Sequence, residues 1–299
     1  MKIYSAEDVR RLVPMPVAID AVRQAFLDLA AGYFVLPARQ SFGDGAVLVM
    51  SAYHSPTGTA VVKKIGIQLD QQPAIRATVI WTGGGEQIVA DGTSITTLRT
   101  GAVVGVATDL LAPADSARLA LLGTGAQAAD QVRAVLAVRA ISEVAVVGRN
   151  VERAKALAAA LADEFPQVKF VPGTSIDEAI GNADVVCCAT SSSTPLFEAN
   201  ALPARVHVNA IGAFRPTMRE LPRSLLADAS LVVVDQVEAA LEESGEIIDA
   251  VDSGTLTPAN LHELGTALST KPTPTGRTVF KSVGIGPQDW AITASLAAH

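Results

Sequence analysis

Cysteine, histidine and aromatic residues are scarce in this chain, and each scarcity narrows what the protein can do. Of 299 residues, two are cysteine and four are histidine, and aromatics make up 4%. Cys187 and Cys188 are neighbours in an apolar run, a geometry that rarely pairs and matches no metal-ligand spacing. The histidines are scattered, so they offer no metal cluster. No basic run is present and the formal net charge is −7, which argues against nucleic acid as a partner. No apolar segment reaches the roughly 18 residues of a membrane span. The opening MKIYSAEDVRRLV reads as an amphipathic start rather than a signal peptide. Together these features predict a reduced, cytoplasmic, metal-free protein without a membrane partner.

What the chain has in abundance is small and branched apolar residues, 49% hydrophobic in all, as buried parallel strands and close-packed helices require. Residues 118–150 carry the strongest signal. An apolar run ends in Gly123-Thr124-Gly125-Ala126-Gln127-Ala128, a helical pattern follows, and a second apolar run ends in Gly148-Arg149-Asn150. Strand, glycine turn, helix and strand in this order form the layout that holds a dinucleotide. Gly123 suits the tight turn, Gly125 lets backbone approach a pyrophosphate, and Ala128 is small enough for close packing. The open N–H groups of the helix, with its dipole, then face phosphate. The same glycines in isolation would describe a merely tight turn.

NAD-specific domains carry an acid at the end of the second strand, about 20 residues past the glycines, for the ribose 2′-hydroxyl. Here Arg149 and Asn150 stand there, with Arg153 one turn later. A guanidinium pairs with a 2′-phosphate where a carboxylate repels it. The expectation is therefore NADPH, with NADH as the alternative; ordinary solvated arginines would read the same way.

Strand and helix signals alternate through the middle of the chain: a helix at 151–164, a strand at 168–171, and a helix at 175–182 with Ser175 and Glu178 as a capping box. Strands follow at 183–189, 205–211, 230–235 and 278–283. Thr190-Ser191-Ser192-Ser193 and 212–216, beginning at Gly212, are loops at carboxyl ends of strands, where ligands of open α/β sheets sit. The first hundred residues differ. A helical stretch at 6–30 is broken near Pro14 and Pro16, strands are expected at 46–53, 60–69, 77–82 and 86–91, and a linking helix at 101–111. A final helix is expected at 287–298. The predicted fold class is α/β: a Rossmann-type doubly wound parallel sheet over 113–286, plus an α+β unit from 1–112 and 287–299.

Six segments in order resemble the ornithine cyclodeaminase/mu-crystallin family of nicotinamide-dependent enzymes. They are Leu36-Pro37-Ala38-Arg39, Val61-Val62-Lys63, Thr96-Thr97-Leu98-Arg99-Thr100-Gly101-Ala102, the glycine loop, Val208-Asn209-Ala210-Ile211-Gly212-Ala213 with Arg219-Glu220-Leu221, and Phe280-Lys281-Ser282-Val283-Gly284. The resemblance implies that the chain ends form a substrate-binding and dimerisation domain, in a homodimer, around the nucleotide-binding domain. It further implies a substrate carboxylate held by Arg39 and Arg99, with Lys63 beside them as proton donor or acceptor. On residue type alone, Lys63 beside Lys64 reads as a surface lysine, although alternation puts Lys63 on a face with Ile65 and Ile67. Ser282 joins the expected nucleotide contacts.

Two departures matter. The cyclodeaminases carry an aspartate in the loop where this chain has Phe214, and a carboxylate in the strand that here reads Ala46-Val47-Leu48-Val49-Met50. Without them, deprotonating amines and expelling ammonia lacks a base. Reducing a cyclic imine needs only a held carboxylate, a hydride and one proton. The resemblance therefore implies NADPH-dependent reduction of a cyclic α-imino acid, Δ1-pyrroline-2-carboxylate or Δ1-piperideine-2-carboxylate, to proline or pipecolate. Met50 and Phe214 would wall the ring. The alternatives are an ornithine cyclodeaminase or alanine-type dehydrogenase, and a non-catalytic NADPH-dependent binding protein like mu-crystallin.

Overall fold

Alternating burial along successive strands divides the fold into one sheet covered on a single face and one covered on both. A computed structural model describes residues 1–68 and 75–299. Leu69, expected to end a strand, lies outside the described residues. Two compact units emerge, Met1–Val103 with Ile285–His299, and Val104–Gly284. These divisions fall nine and two residues earlier than the sequence suggests.

The first unit holds strands β1 (Lys2–Tyr4), β2 (Phe34–Val35), β3 (Gln40–Phe42), β4 (Val47–His54), β5 (Thr59–Ile67), β6 (Ile75–Gly83) and β7 (Glu86–Asp91), with helices α1 (Ala6–Leu12) and α2 (Met15–Ala30). Among the described residues they make a sheet in the order β1-β7-β6-β5-β4-β2, with β3 also on β4. All pairs are antiparallel except β1 with β7. Met50, Ala52 and His54 of β4 point into the core, as do Val61 and Lys63 of β5, while Val62 and Lys64 point outward. The final helix, numbered α11 (Gly286–Ala297), packs on α2 and across β4, β5 and β6. Gly286 is required for this approach, because a Cβ there would lie 2.9 Å from the Ser51 carbonyl oxygen. The indole N–H of Trp290 donates to Thr59 Oγ1 at 2.8 Å and locks the helix to the hairpin.

Helix α3 (Gly92–Leu111) begins nine residues before the expected 101. Threonine and glycine disguise its first half, since both disfavour helix in isolation. Burial overrides that preference. The Asp91 carboxylate accepts from Ser94 N–H at 2.7 Å, and Thr96 and Thr100 donate to carbonyls one turn back at 2.6 and 2.7 Å.

The second unit runs β8 (Arg118–Leu122), α4 (Ala128–Val138), β9 (Glu143–Val147), α5 (Val151–Glu164), β10 (Lys169–Gly173), α6 (Ile176–Ile180), β11 (Val185–Cys188), β12 (Val206–Ala210), α7 (Arg223–Asp228), β13 (Leu231–Val234), α8 (Val237–Glu243), α9 (Gly245–Asp252), β14 (Leu261–Glu263), α10 (Leu264–Thr270) and β15 (Arg277–Lys281). Its parallel sheet has the order β10-β9-β8-β11-β12-β15-β13-β14. The first five strands thus follow the doubly wound order, with the switch point between β8 and β11. Side chains alternate between two apolar cores, Leu122 and Cys188 in one, Leu121 and Cys187 in the other. The two thiols face opposite sides of the sheet and are free. Burial pushes that of Cys187 up to about 12 and that of Cys188 well above the ordinary thiol value.

Sequence reading missed α7 and the stretch from α8 to α10, whose elements are short and follow no long periodic pattern. Only the Ser175 half of the expected capping box forms among the described residues, with Glu178 N–H donating to Ser175 Oγ at 3.3 Å.

Asp235 fixes the carboxyl edge of the sheet. Its Oδ2 accepts from Ser282 Oγ, Val283 N and Gly284 N at 2.8, 2.9 and 2.7 Å, joining the ends of β13 and β15. Asp235→Ala strands these buried donors and is expected to lower unfolding free energy by about 3 kcal/mol. A drop in the urea midpoint at unchanged m-value checks it.

Candidate functional site

The residues expected to carry function fall into two sets, one in each unit. In the first, β5 carries Lys63 into the core and β4 places Met50 directly opposite in register. Lys63 is 1% exposed, and its Nζ donates to Asp289 Oδ1 at 2.9 Å. Arg99, on the buried face of α3, approaches the same oxygen, its Nε at 3.7 Å, and donates through Nη1 to Gln288 Oε1. Arg39 is half-buried, and its charge acts on Lys63. Burial, opposed by the Asp289 carboxylate and assisted by the Arg99 and Arg39 guanidiniums, pushes the Lys63 ammonium down to about 8. Lys63, Arg39, Arg99 and Met50 therefore gather in one place.

Asp289 and Gln288 were not foreseen. Both are fully buried in the first turn of α11, where the helix dipole favours a carboxylate. The one available signal is an acid in the first turn of an otherwise apolar helix. Among the described residues, Asp289 Oδ2 and Gln288 Nε2 have no hydrogen-bond partner.

In the second unit the expected nucleotide residues line the carboxyl edge of the sheet around the switch point. Gly123 adopts a φ of 118°, and a Cβ there would run into the Ala189 carbonyl at the end of β11. Thr124 packs against Gly148, where a Cβ would lie 2.7 Å from its Cγ2. Gly125 and Ala126 are exposed, and a Cβ on Gly125 would meet nothing within 4 Å. That open space above the backbone, leading through Gln127 into α4, is a cradle that fits a dinucleotide's pyrophosphate. Arg149 and Arg153 are exposed beyond β9 and, among the described residues, carry no salt bridge, while nearby Glu152 pairs with Lys155.

Several expected contacts have structural duties here. Asn150 caps α5, accepting from Glu152 N and Arg153 N at 3.0 and 3.1 Å. Ser282 gives its hydroxyl to Asp235. Thr190 is held by Glu220, which sequence reading noted only within a family segment. Glu220 Oε1 accepts from Thr190 N and Oγ1 at 2.6 and 2.8 Å, and Oε2 accepts from Gly212 N and Ala213 N at 2.7 and 3.1 Å. One carboxylate thereby ties the loops after β11 and β12. Burial pushes Glu220 up from the ordinary carboxylate value, against the pull of Lys281 and of the Thr190 N–H. Lys281 pairs with Glu246 at 2.9 Å and donates to the Ala213 carbonyl. Ser191 is exposed on the first loop. Phe214 belongs to this unit, half-buried under the Arg215 guanidinium, whose carbon lies 5.6 Å from the ring centroid. Among the described residues no His, Cys, Asp and Glu group could hold a metal, and no helix is long and apolar enough to cross a membrane.

Glu220→Gln turns an –NH2 toward the N–H donors of one loop. Hydrogen exchange at Thr190 or at Gly212 and Ala213 is expected to accelerate about tenfold or more, equivalent to ~1.4 kcal/mol, with the sheet interior unchanged.

A family model described as ornithine cyclodeaminase/mu-crystallin family matches residues 1–296. The chain is 34% identical to the Δ1-pyrroline-2-carboxylate reductase of Bacillus cereus (strain ATCC 10987 / NRS 248), over 99% of this chain and 95% of that protein. It is 32% identical to the ketimine reductase mu-crystallin of Mus musculus, over 82% of this chain and 77% of that protein. Among solved structures, Thermococcus litoralis Δ1-pyrroline-2-carboxylate reductase in complex with NADH and L-proline matches with a TM-score of 0.92 and 29% identity, covering 99% of this chain and 96% of that one. An archaeal alanine dehydrogenase dimer with bound NAD matches at 0.90 and 27%, covering 100% and 95%. With a parallel nucleotide-type sheet, a buried lysine–arginine cluster and a family match along nearly its entire length, the chain belongs to the ornithine cyclodeaminase/mu-crystallin family.

Proposed function

We propose that this protein is an NAD(P)H-dependent reductase of cyclic α-imino acids, converting Δ1-pyrroline-2-carboxylate or Δ1-piperideine-2-carboxylate to proline or pipecolate. The observation that carries this is the buried Lys63, held by Asp289 beside Arg99 and Arg39, in a chain whose relatives include pyrroline-2-carboxylate and ketimine reductases. Arg99 and Arg39 bind the substrate carboxylate, the invariant anionic handle of such molecules. Met50 offers an apolar wall to the ring methylenes. When bound, the nicotinamide supplies a hydride to the imine carbon. The π pair of the C=N bond then becomes the nitrogen lone pair, and Lys63 supplies the proton it takes up. Asp289 is a positioning residue for Lys63. β4 carries no acidic side chain, and Phe214 stands where cyclodeaminases hold an aspartate, which favours imine reduction over cyclodeamination.

NADPH is the preferred cofactor in this proposal, because Arg149 and Arg153 are open to a 2′-phosphate. The working form is a homodimer. Ser51, Val62, Ile80, Val89 and Ile3 follow one another in register across the outer face of the sheet, with Val62, Ile80 and Ile3 exposed. An apolar band of this kind suits a second copy, and the archaeal relative is a dimer. Two buried free thiols agree with a cytoplasmic setting.

Turnover is followed as NADPH absorbance with either imino acid; proline release from ornithine without imine turnover would overturn the assignment. With the Lys63 ammonium present below about 8 and lost above it, kcat/KM is expected to be flat on the acid side of that value and to fall as pH rises through it. Lys63→Met is expected to lose at least about a hundredfold in kcat. Arg149→Ala is expected to weaken NADPH binding about tenfold while leaving NADH binding nearly unchanged, as measured by paired fluorescence titrations.

A further inference from the structure

The donor and acceptor inventory of the Lys63 cluster is lopsided. Lys63, Arg39 and Arg99 are donors only. Gln288 has its oxygen taken by Arg99 and its Nε2 donor unpartnered. Asp289 Oδ1 is taken by Lys63. Asp289 Oδ2 is thus the open acceptor of the cluster among the described residues, on a side chain that is 0% exposed. A buried carboxylate oxygen without a partner is costly, and among the described residues none is supplied for it.

An imino acid has the complementary inventory. Its carboxylate only accepts, which the cationic donors and Gln288 Nε2 satisfy. Its ring nitrogen, protonated in the reactive iminium and in the amine product, only donates. We infer that Asp289 Oδ2 receives the substrate's ring N–H, making Asp289 the residue that selects an imino or amino acid over an oxygen analogue. This rests on the imino-acid function proposed above and goes beyond Asp289's support of Lys63. A keto acid would turn a carbonyl oxygen, an acceptor, toward the same carboxylate and be repelled. The cluster therefore reads the C=N group by charge and hydrogen-bond polarity, with no need for a pocket that fits the ring tightly. Positive charge on the iminium nitrogen is stabilised by the same oxygen, so the form most reactive toward hydride is the form bound. Isosteres that differ only at the ring atom give the cleanest discrimination, because a buried acceptor left facing another acceptor costs far more than a lost methylene contact.

The test uses three ring acids that differ at one atom: L-proline with NH2⁺, (S)-tetrahydrofuran-2-carboxylate with oxygen, and cyclopentanecarboxylate with CH2. Each is titrated as a competitive inhibitor of imine reduction at saturating NADPH. The unaltered enzyme is expected to bind proline at least about tenfold more tightly than either analogue. In Asp289→Asn that preference is expected to fall to about twofold or less, with the oxygen analogue binding within about threefold of its original strength. Equal weakening of all three ligands in Asp289→Asn would confine Asp289 to supporting Lys63 and overturn the inference. A preference for proline that survives the substitution would assign the nitrogen to another group and overturn it too. If Asp289→Asn does not fold, the unaltered enzyme still decides, since equal binding of the three acids overturns the inference. Imine reduction by an enzyme that ignores the ring atom leaves the proposed function standing and removes only this step. An enzyme that binds none of the three acids removes both.

Discussion

Lys63 Nζ and Asp289 Oδ1 lie 2.9 Å apart with both side chains out of water, joining β5 to α11 across 226 positions of sequence. A lone ammonium at that depth would be costly, and two guanidiniums nearby raise the cost. The carboxylate compensates, and the helix that delivers it is held by the Gly286 approach and the Trp290 hydrogen bond. The first unit is thus organised around a charge that its apolar core could not otherwise accept. Breaking such a pair from one side typically costs 3–5 kcal/mol, roughly, because the survivor is left uncompensated. Hydrocarbon of similar volume in place of both partners is often neutral or stabilising, so stability alone does not account for the pair.

The second unit handles buried charge in a different way. Glu220 and Asp235 spend their oxygens on backbone N–H groups at the ends of four parallel strands, β11, β12, β13 and β15. Loops at the carboxyl edge of an open sheet have no ladder partners of their own. Internal carboxylates give them fixed positions while leaving the glycine turn after β8 open. His207 serves the same frame as a neutral group, bonded to Thr278 and Asn209 at 2.8 and 3.1 Å, with burial pushing it down to about 3.

Much of this was legible from residue order. The β8–turn–α4–β9 unit follows from two apolar runs and three small residues, and α5 has the bounds that its alanine-rich pattern implies. Two-residue alternation puts Lys63 on one face with Ile65 and Ile67, while its residue type beside Lys64 reads as a surface lysine. Other features left little trace. The first half of α3 is built from threonines whose hydroxyls are satisfied only within the formed helix. The segment from α8 to α10 breaks into pieces of seven or eight residues, joined by a three-residue strand, too short for periodicity to register. Asp289 was missed for a different reason: an acid in the first turn of a helix is a local signal, but its partner Lys63 lies 226 positions away, which local pattern cannot reveal. Glu220 stood in a noted segment, yet only the folded loops show that one side chain serves both.

The discontinuity of the first unit has a consequence for how the protein is made. Residues 104–284 can leave the ribosome and close their own parallel sheet while the antiparallel sheet, already synthesised, still waits for α11. Throughout that interval Lys63 has no counter-ion from Asp289 and the inner face of β4 and β5 is uncovered. A nascent chain in this state exposes the apolar face that α11 goes on to cover, so the period just before α11 emerges is when the chain is most open to aggregation.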